Sequence, residues 1–332
     1  MAAPGRPSWA DATGAPGVAA AVEVAATSAN LGPGFDSLGL ALDLVDQVTA
    51  TVVDRPGTVV EVSGEGSGEL ATGEHHLVAR TLLATLDELG RPRPPGLHLR
   101  CVNGVPHGRG LGSSAAAVVA GVLLARALAG VTETSSDAAL ASATAIEGHP
   151  DNAAAALLGG ATIAWLGEDG PRAVRLQVHP DLVPLVLLPS GRLATHHARS
   201  VLPASVSHSD AAHNVARAAL LVHALTTEPA LLHAATSDRL HQHHRRSAMP
   251  ATLTAVERLR DQGLAAVVSG AGPAVLVLST TEHQDADLAA LAPFTTAPDQ
   301  PWTLLSTAVR TAPARARVLP RASTSSGDAA AG

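Results

Sequence analysis

Apolar and polar residues alternate through "GVAAAVEVAA" (17–26) and "VDQVTATVVD" (45–54), and "TVVEVSG" (58–64) follows a Pro-Gly turn. With this β-branched content, period two predicts a strand-rich opening. The period then changes. In "HHLVARTLLATLDEL" the residues Leu77, Val78, Thr81, Leu82, Leu86 and Leu89 fall at helical spacing, and Gly90 ends the run before "RPRPP". "GLHLRCV" (96–102) reads as a strand. Residues 111–129 are almost all Ala, Val and Leu, the pattern of a helix buried on most sides. A further helix is expected over 135–146, with Ser and Asp at its start as capping candidates.

Beyond it, "ATIAWL", "AVRLQV" and "LVPLVLLP" predict three strands, with helices at 210–225, 230–237 and 251–262. "LAAVVSGAGPAVLVLS" reads as strand, Gly-rich turn and strand; a helix over "EHQDADLAALA" and a strand near "WTLLSTAVR" follow. Strands and helices mixed without strict alternation favour α+β over a doubly wound sheet. The turn "GEDGPR" is a natural boundary, dividing the body into 18–168 and 169–319. The small, polar ends, 1–17 and 320–332, are expected to be disordered. No internal repeat is visible.

With 332 residues, 46% of them hydrophobic, the chain can bury two cores. The net charge is -7 and every one of the 22 basic residues is arginine, with no basic run. That balance argues against nucleic acid or an anionic membrane as the main partner. Two Phe, three Trp and no Tyr leave little for base stacking. The single cysteine, Cys101, excludes an intrachain disulfide and fits a reducing compartment, so a cytoplasmic location is expected. The first residues carry a lone early Arg and no apolar run, so neither a signal peptide nor an amphipathic transit peptide is expected, and no window is long and apolar enough to span a membrane.

Between the strand at 96–102 and the buried helix lies "PHGRGLGSSAAA" (106–117). Glycines let backbone approach a ligand closely, and a helix start offers unpaired N–H groups and a positive dipole end, so the stretch reads as a phosphate cradle. An ordinary turn before a helix is the plain alternative. A Walker A loop is excluded because the chain has no lysine. Gly110, Gly112 and Ala115 fit a dinucleotide fingerprint, but a helix follows where the acid-bearing strand should be. No G-x-S-x-G nucleophile elbow occurs.

"GRGLGSSAAA" resembles the second motif of the GHMP small-molecule kinases. "ATSANLGPGFDSLGLAL" (26–42) resembles that family's first motif, in the form carried by its homoserine-phosphorylating members, and "VVSGAGPAVLVL" (267–278) resembles its third. "EGHPDNAAAALLGG" (147–160) and "LHQHHR" (240–245) are similar to further segments of the same members. Five motifs in order, over about residues 20–310, are far more specific than one Gly loop. The resemblance implies a two-domain fold, ribosomal-protein-like first and ferredoxin-like second. It also implies phosphorylation of L-homoserine by ATP to O-phospho-L-homoserine, a step of threonine biosynthesis. A sister kinase with another hydroxyl acceptor, or a non-catalytic nucleotide-binding regulator, remains the alternative. L-homoserine and ATP are the expected partners, with a homodimer left open.

By the same resemblance the nucleotide segment comprises Pro106, His107, Gly108, Arg109, Gly110, Leu111, Gly112, Ser113, Ser114, Ala115 and Ala116. Ser114 and the carboxylate of Glu147 are the candidates for Mg²⁺, a hard ion that prefers oxygen; a surface acid at a helix end is the plain reading of Glu147. Arg199 and Arg245 correspond to arginines the family uses on the substrate carboxylate, a task suited to a planar fork. Gly32, Pro33 and Gly34 make a tight turn that would aim Asn30 and Asp36 at one site, unless both merely cap it. His149, Asp151 and Asn152 complete the pocket by resemblance. Many relatives of other specificity carry a basic Asp near 152, whereas Asn152 cannot take a proton. Asp36 is therefore expected to orient the acceptor hydroxyl, with Asn152 and Arg199 beside the chemistry. The histidines of "THHAR" and "LHQHHRR" lack metal-ligand spacing and are expected on solvated helix faces. His243 and His244 stand where related kinases usually have Pro-Tyr, and Ala25 where they have Pro.

Overall fold

The computed structural model describes residues 15–131, 136–297 and 302–320. In chain order come β1 (Ala19–Ala29), β2 (Leu38–Val53), β3 (Gly57–Gly64), α1 (Leu77–Glu88), β4 (Gly96–Asn103), α2 (Ser113–Leu128), α3 (Ser136–Glu147), α4 (Asp151–Leu158), β5 (Ala161–Gly167) and β6 (Gly170–Leu176). Then follow β7 (Leu182–Leu188), α5 (Thr195–Ser200), α6 (His208–Thr226), α7 (Leu232–Ala235), α8 (Pro250–Asp261), β8 (Ala266–Val268), β9 (Val275–Thr280), α9 (Gln284–Thr295), β10 (Thr303–Ser306) and β11 (Arg317–Leu319). The expected α+β class holds. Ser135 and the expected disordered ends, apart from residues 15–17 and 320, lie outside the described residues.

The first sheet has the order β11-β1-β2-β4-β3, with β5 beside β2 and β6 beside β5. β2 has 16 residues because, besides β1, it serves two further neighbours: its start pairs with β5 through Leu38, Gly39 and Leu40, and its later half pairs with β4 from Asp46 to Val53. A register shift opposite Ala25 and Ala26 bends the ribbon between the two halves. Its main core joins sheet residues such as Val22, Val48 and Leu99 to Leu82, Leu124 and Ala154 of α1, α2 and α4. α2 is buried on most sides, as its composition predicts.

The second sheet, β10-β7-β9-β8, is antiparallel throughout. Leu185, Leu187, Val275 and Val277 face α8 and α9, while Val186, Leu188, Leu276 and Leu278 face the other way. Both faces are covered, which is why these strands read as unbroken apolar runs. That second face packs on Leu31, Leu38, Leu40 and Leu42 of the first half, so one core is shared. Among the described residues no helix is long and apolar enough to cross a membrane.

Two features differ from the expected division at 168/169. "GEDGPR" is the turn of the β5–β6 hairpin, inside the first sheet. The chain end also returns: Arg310 N donates to Ala41 O, Gly160 N to Arg310 O and Ala314 N to Leu157 O before β11 pairs with β1.

Candidate active site

The Gly-rich loop is gripped by its neighbours through its carbonyls. Thr27 N donates to Leu111 O (3.0 Å), Ser269 Oγ to Gly110 O (2.7 Å), Ala274 N to Arg109 O (3.1 Å) and Leu193 N to Gly108 O (2.9 Å). Its N–H side is left to the cavity. Gly112 sits at the N-cap of α2 with φ 68° and ψ 23°, and no side chain caps the helix. The first-turn N–H groups, which have no partner within a helix, therefore face a cavity of about 410 Å³ whose wall includes Gly108, Gly110, Leu111, Gly112, Ser113, Ser114 and Ala115. A Cβ on Gly112 would overlap Thr27 Oγ1 and come within 3.0 Å of Asn152 Oδ1.

His107 and Ala116 face instead a second cavity of about 240 Å³, which shares Ser113 and Ser114 with the first and is lined by Leu70, Leu77, Val78, His76 and Asn103. His76 is 5% exposed and its Nδ1 has no hydrogen-bond partner among the described residues. Pro106 and Arg109 face neither cavity.

Ser114 Oγ donates to Glu147 Oε1 across 2.6 Å, so the end of α3 is brought to the start of α2. A hydroxyl and a carboxylate on the cavity wall form an all-oxygen pair. No cluster of three His, Cys, Asp or Glu suited to a metal occurs among the described residues. A hydroxyl and a carboxylate oxygen are donors of the kind that could hold a hard divalent cation.

The 30–36 turn contributes Asn30 to the cavity wall. Asn30, Leu31 and Asp36 take left-handed φ of 69°, 48° and 54°, a conformation costing about 1–2 kcal/mol for a residue with a Cβ. Asn30 Nδ2 donates to Gly270 O (2.9 Å), and its Oδ1 accepts from Asp36 N (3.0 Å). Gly270 O also accepts from Arg245 Nη1 (3.0 Å), while Arg245 Nε donates to Ala198 O (3.2 Å). Arg245 is 1% exposed; burial and the neighbouring Arg199 charge push its pKa down to about 10. Arg199 and Arg245 line the same cavity. Arg199, on α5, turns to Asp36: Nη1 donates to Oδ2 (3.1 Å) and Nη2 to Oδ1 (2.5 Å). This fork holds the Arg199 pKa above its ordinary value. The cavity wall includes Arg199 and not Asp36, whose carboxylate lies in the grip of the arginine.

His149, just before α4, and Asp151 and Asn152, in its first turn, lie on the same wall. His149 Nδ1 lies 2.7 Å from Asp151 Oδ1, and this hydrogen bond raises the histidine pKa despite burial. Asn152 N donates to the same oxygen (2.8 Å), and Asn152 Oδ1 accepts from Thr27 Oγ1 (2.8 Å). Thr27, Ile146, Leu193, Thr195, His196, Gly270 and Ala271 belong to the site or its support without having been singled out by sequence. Thr195 and His196 had a signal, since α5 carries Arg199.

One expectation is corrected. His196, His197 and His243 are exposed, but His241 is fully buried, with Nε2 2.7 Å from Gly32 O. The protein interior uses it as a hydrogen-bond donor.

The first half matches "GHMP kinases N terminal domain" over residues 76–160, and the second "GHMP kinases C terminal" over residues 216–294. The homoserine kinase of Clavibacter michiganensis subsp. michiganensis is 50% identical over 87% of this chain and 90% of its own length. That of Streptomyces avermitilis is 51% identical over 80% and 87%. The crystal structure of homoserine kinase from Cytophaga hutchinsonii superposes with a TM-score of 0.78 at 26% identity, covering 91% of this chain and 97% of that one. With a lysine-free Gly-rich loop at the start of α2, two arginines on the wall of the same cavity and relatives about half identical over most of both lengths, the chain belongs to the GHMP kinase family.

Proposed function

We propose that this protein is a homoserine kinase, transferring the γ-phosphoryl group of ATP to the side-chain hydroxyl of L-homoserine. The observation that carries the reading is that one cavity is lined both by the Gly-rich loop at the start of α2 and by Arg199 and Arg245. The loop N–H groups and the α2 dipole hold the triphosphate. The apolar second cavity, which shares Ser113 and Ser114, takes the nucleoside end. Ser114 and Glu147 would hold Mg²⁺, which supplies neutralisation of phosphate charge.

Arg245 and Arg199 receive the amino-acid carboxylate, the first already desolvated and the second drawn from Asp36. Asp36, released, orients the acceptor. The hydroxyl oxygen attacks the γ-phosphorus, the bond to the β–γ bridging oxygen breaks, and ADP leaves. Asn152 cannot act as base, so the proton passes late to the transferred phosphoryl group or water, which a loose transition state permits. Positioning and charge neutralisation supply most of the rate.

The test is ADP release by the purified protein with Mg²⁺, ATP and a panel of hydroxyl amino acids and small alcohols. L-homoserine is expected to give the highest kcat/KM. Preference for another acceptor by a hundredfold overturns the substrate, and ATP binding without turnover on any acceptor overturns the enzyme.

A further inference from the structure

The 30–36 turn holds three non-glycine residues in left-handed conformations, so contacts from outside the turn have to fix it. Several come from the second half, through His241, Asn214 and Thr236, and a buried acid there holds the first two. Asp238, whose side chain is fully buried, accepts at Oδ1 from Asn214 Nδ2 (2.9 Å) and Leu240 N (2.9 Å), and at Oδ2 from His241 N (3.2 Å) and Gln242 N (2.8 Å). It thereby shapes the backbone that presents His241. The His241 Nε2 contact with Gly32 O requires a proton on Nε2, and Nδ1 is left buried with no hydrogen-bond partner among the described residues. Burial, reinforced by Arg245 and opposed by Asp238 and Asp36, lowers the His241 pKa to about 4, so the ring is neutral at physiological pH.

The same ring packs on the turn from the side. Phe35 stacks on His241 with centroids 5.1 Å apart and planes at 29°, and the Arg199 guanidinium lies 5.7 Å from the Phe35 centroid. Gly32 packs so tightly on the Thr236 carbonyl that a Cβ there would overlap it. A path of contacts thus runs from Asp238 through His241 to Gly32 and Phe35, and from these to Asp36 and Arg199.

We infer that His241 is a positioning residue: its Nε2 hydrogen bond to Gly32 O and its stacking on Phe35 set the placement of Asn30, Asp36 and Arg199 for the amino-acid acceptor. It touches neither the phosphate loop nor the Ser114–Glu147 pair, so the inference confines its effect to one substrate. It rests on the proposed homoserine kinase reading.

The experiment compares wild type with His241→Leu, His241→Asn and His241→Gln, measuring KM for L-homoserine, KM for ATP and kcat well below each variant's Tm. Leu has no donor, Asn is one carbon too short, and Gln places its Nε2 close to the imidazole Nε2. The expected result is a rise of at least tenfold in the homoserine KM of the Leu and Asn variants. Their ATP KM should stay within twofold of wild type, and Gln should return to within threefold. If the Leu protein does not fold, the Asn and Gln pair carries the same comparison. Equal rises in both KM values, or an Asn variant indistinguishable from Gln, overturn the inference. A wild type that prefers another acceptor overturns the substrate reading instead, and His241 is then judged on the KM of that acceptor.

Discussion

At the scale of single residues, the site is a set of charges already satisfied by one another. Arg199 spends its fork on Asp36, and Arg245 its Nε and one Nη on backbone carbonyls. A ligand carboxylate thus competes for Arg199 but only adds to Arg245. This asymmetry makes Asp36 the informative position. Asp36→Asn keeps the size of the side chain and one acceptor oxygen, loses the charge, and frees Arg199. Turnover with L-homoserine is expected to fall about 100-fold or more, while ATP binding, measured by calorimetry, stays within twofold because Asp36 lines neither cavity. Wild-type turnover in this variant removes Asp36 from the chemistry. Sequence exposed the residue types here but not the pairing: nothing in "SANLGPGFD" or "THHARS" says that the free arginine would rest on the free acid.

At the scale of elements, what was legible followed periodicity, and what was not followed tertiary contact. α1, α2, α8 and most strands are where the spacing of apolar residues places them. α4 has only 8 residues, nearly all Ala and Leu, too few to display a period; α5, with 6, is shorter still. β2 begins at Leu38, seven residues ahead of its alternating stretch, because its first part is covered by the shared core and so is not polar on one face. The buried state of His241 was likewise invisible, since it depends on a turn more than 200 residues away. The α2 start shows what one element contributes to function. Gly112→Ala puts a Cβ at φ 68° and against Thr27 Oγ1, displacing the first turn whose N–H groups face the cavity. The backbone cost alone is about 1–2 kcal/mol. kcat/KM for ATP is expected to fall at least 100-fold while the far-ultraviolet circular dichroism is kept. Full activity in Gly112→Ala would remove the loop from the phosphate role.

At the scale of the whole molecule, a two-part sequence reading meets a chain that is tied at several points. The expected boundary falls in a hairpin, the last strand closes on the first, and Arg310 bonds to both Asp43 and Glu23. Leu31, Leu40 and Leu42 bury against Val186, Leu276 and Leu221, so neither half can unfold without exposing apolar surface of the other. The site spans the same junction, since its loop and 30–36 turn come from the first half while Arg199, Arg245 and Gly270 come from the second. Separation of the halves would dismantle the site as well as the core. The molecule is therefore expected to unfold in one cooperative transition. At about 0.7 kcal/mol per residue near 60 °C, the described residues give a calorimetric enthalpy of about 200 kcal/mol, and the van't Hoff enthalpy should equal it. Scanning calorimetry in dilute buffer without nucleotide makes the comparison. Two resolved endotherms, or a van't Hoff enthalpy near half the calorimetric one, would mean that the shared core does not couple the halves; agreement between the two enthalpies means that a substitution in that core, such as Leu40→Ala, lowers the stability of both sheets together.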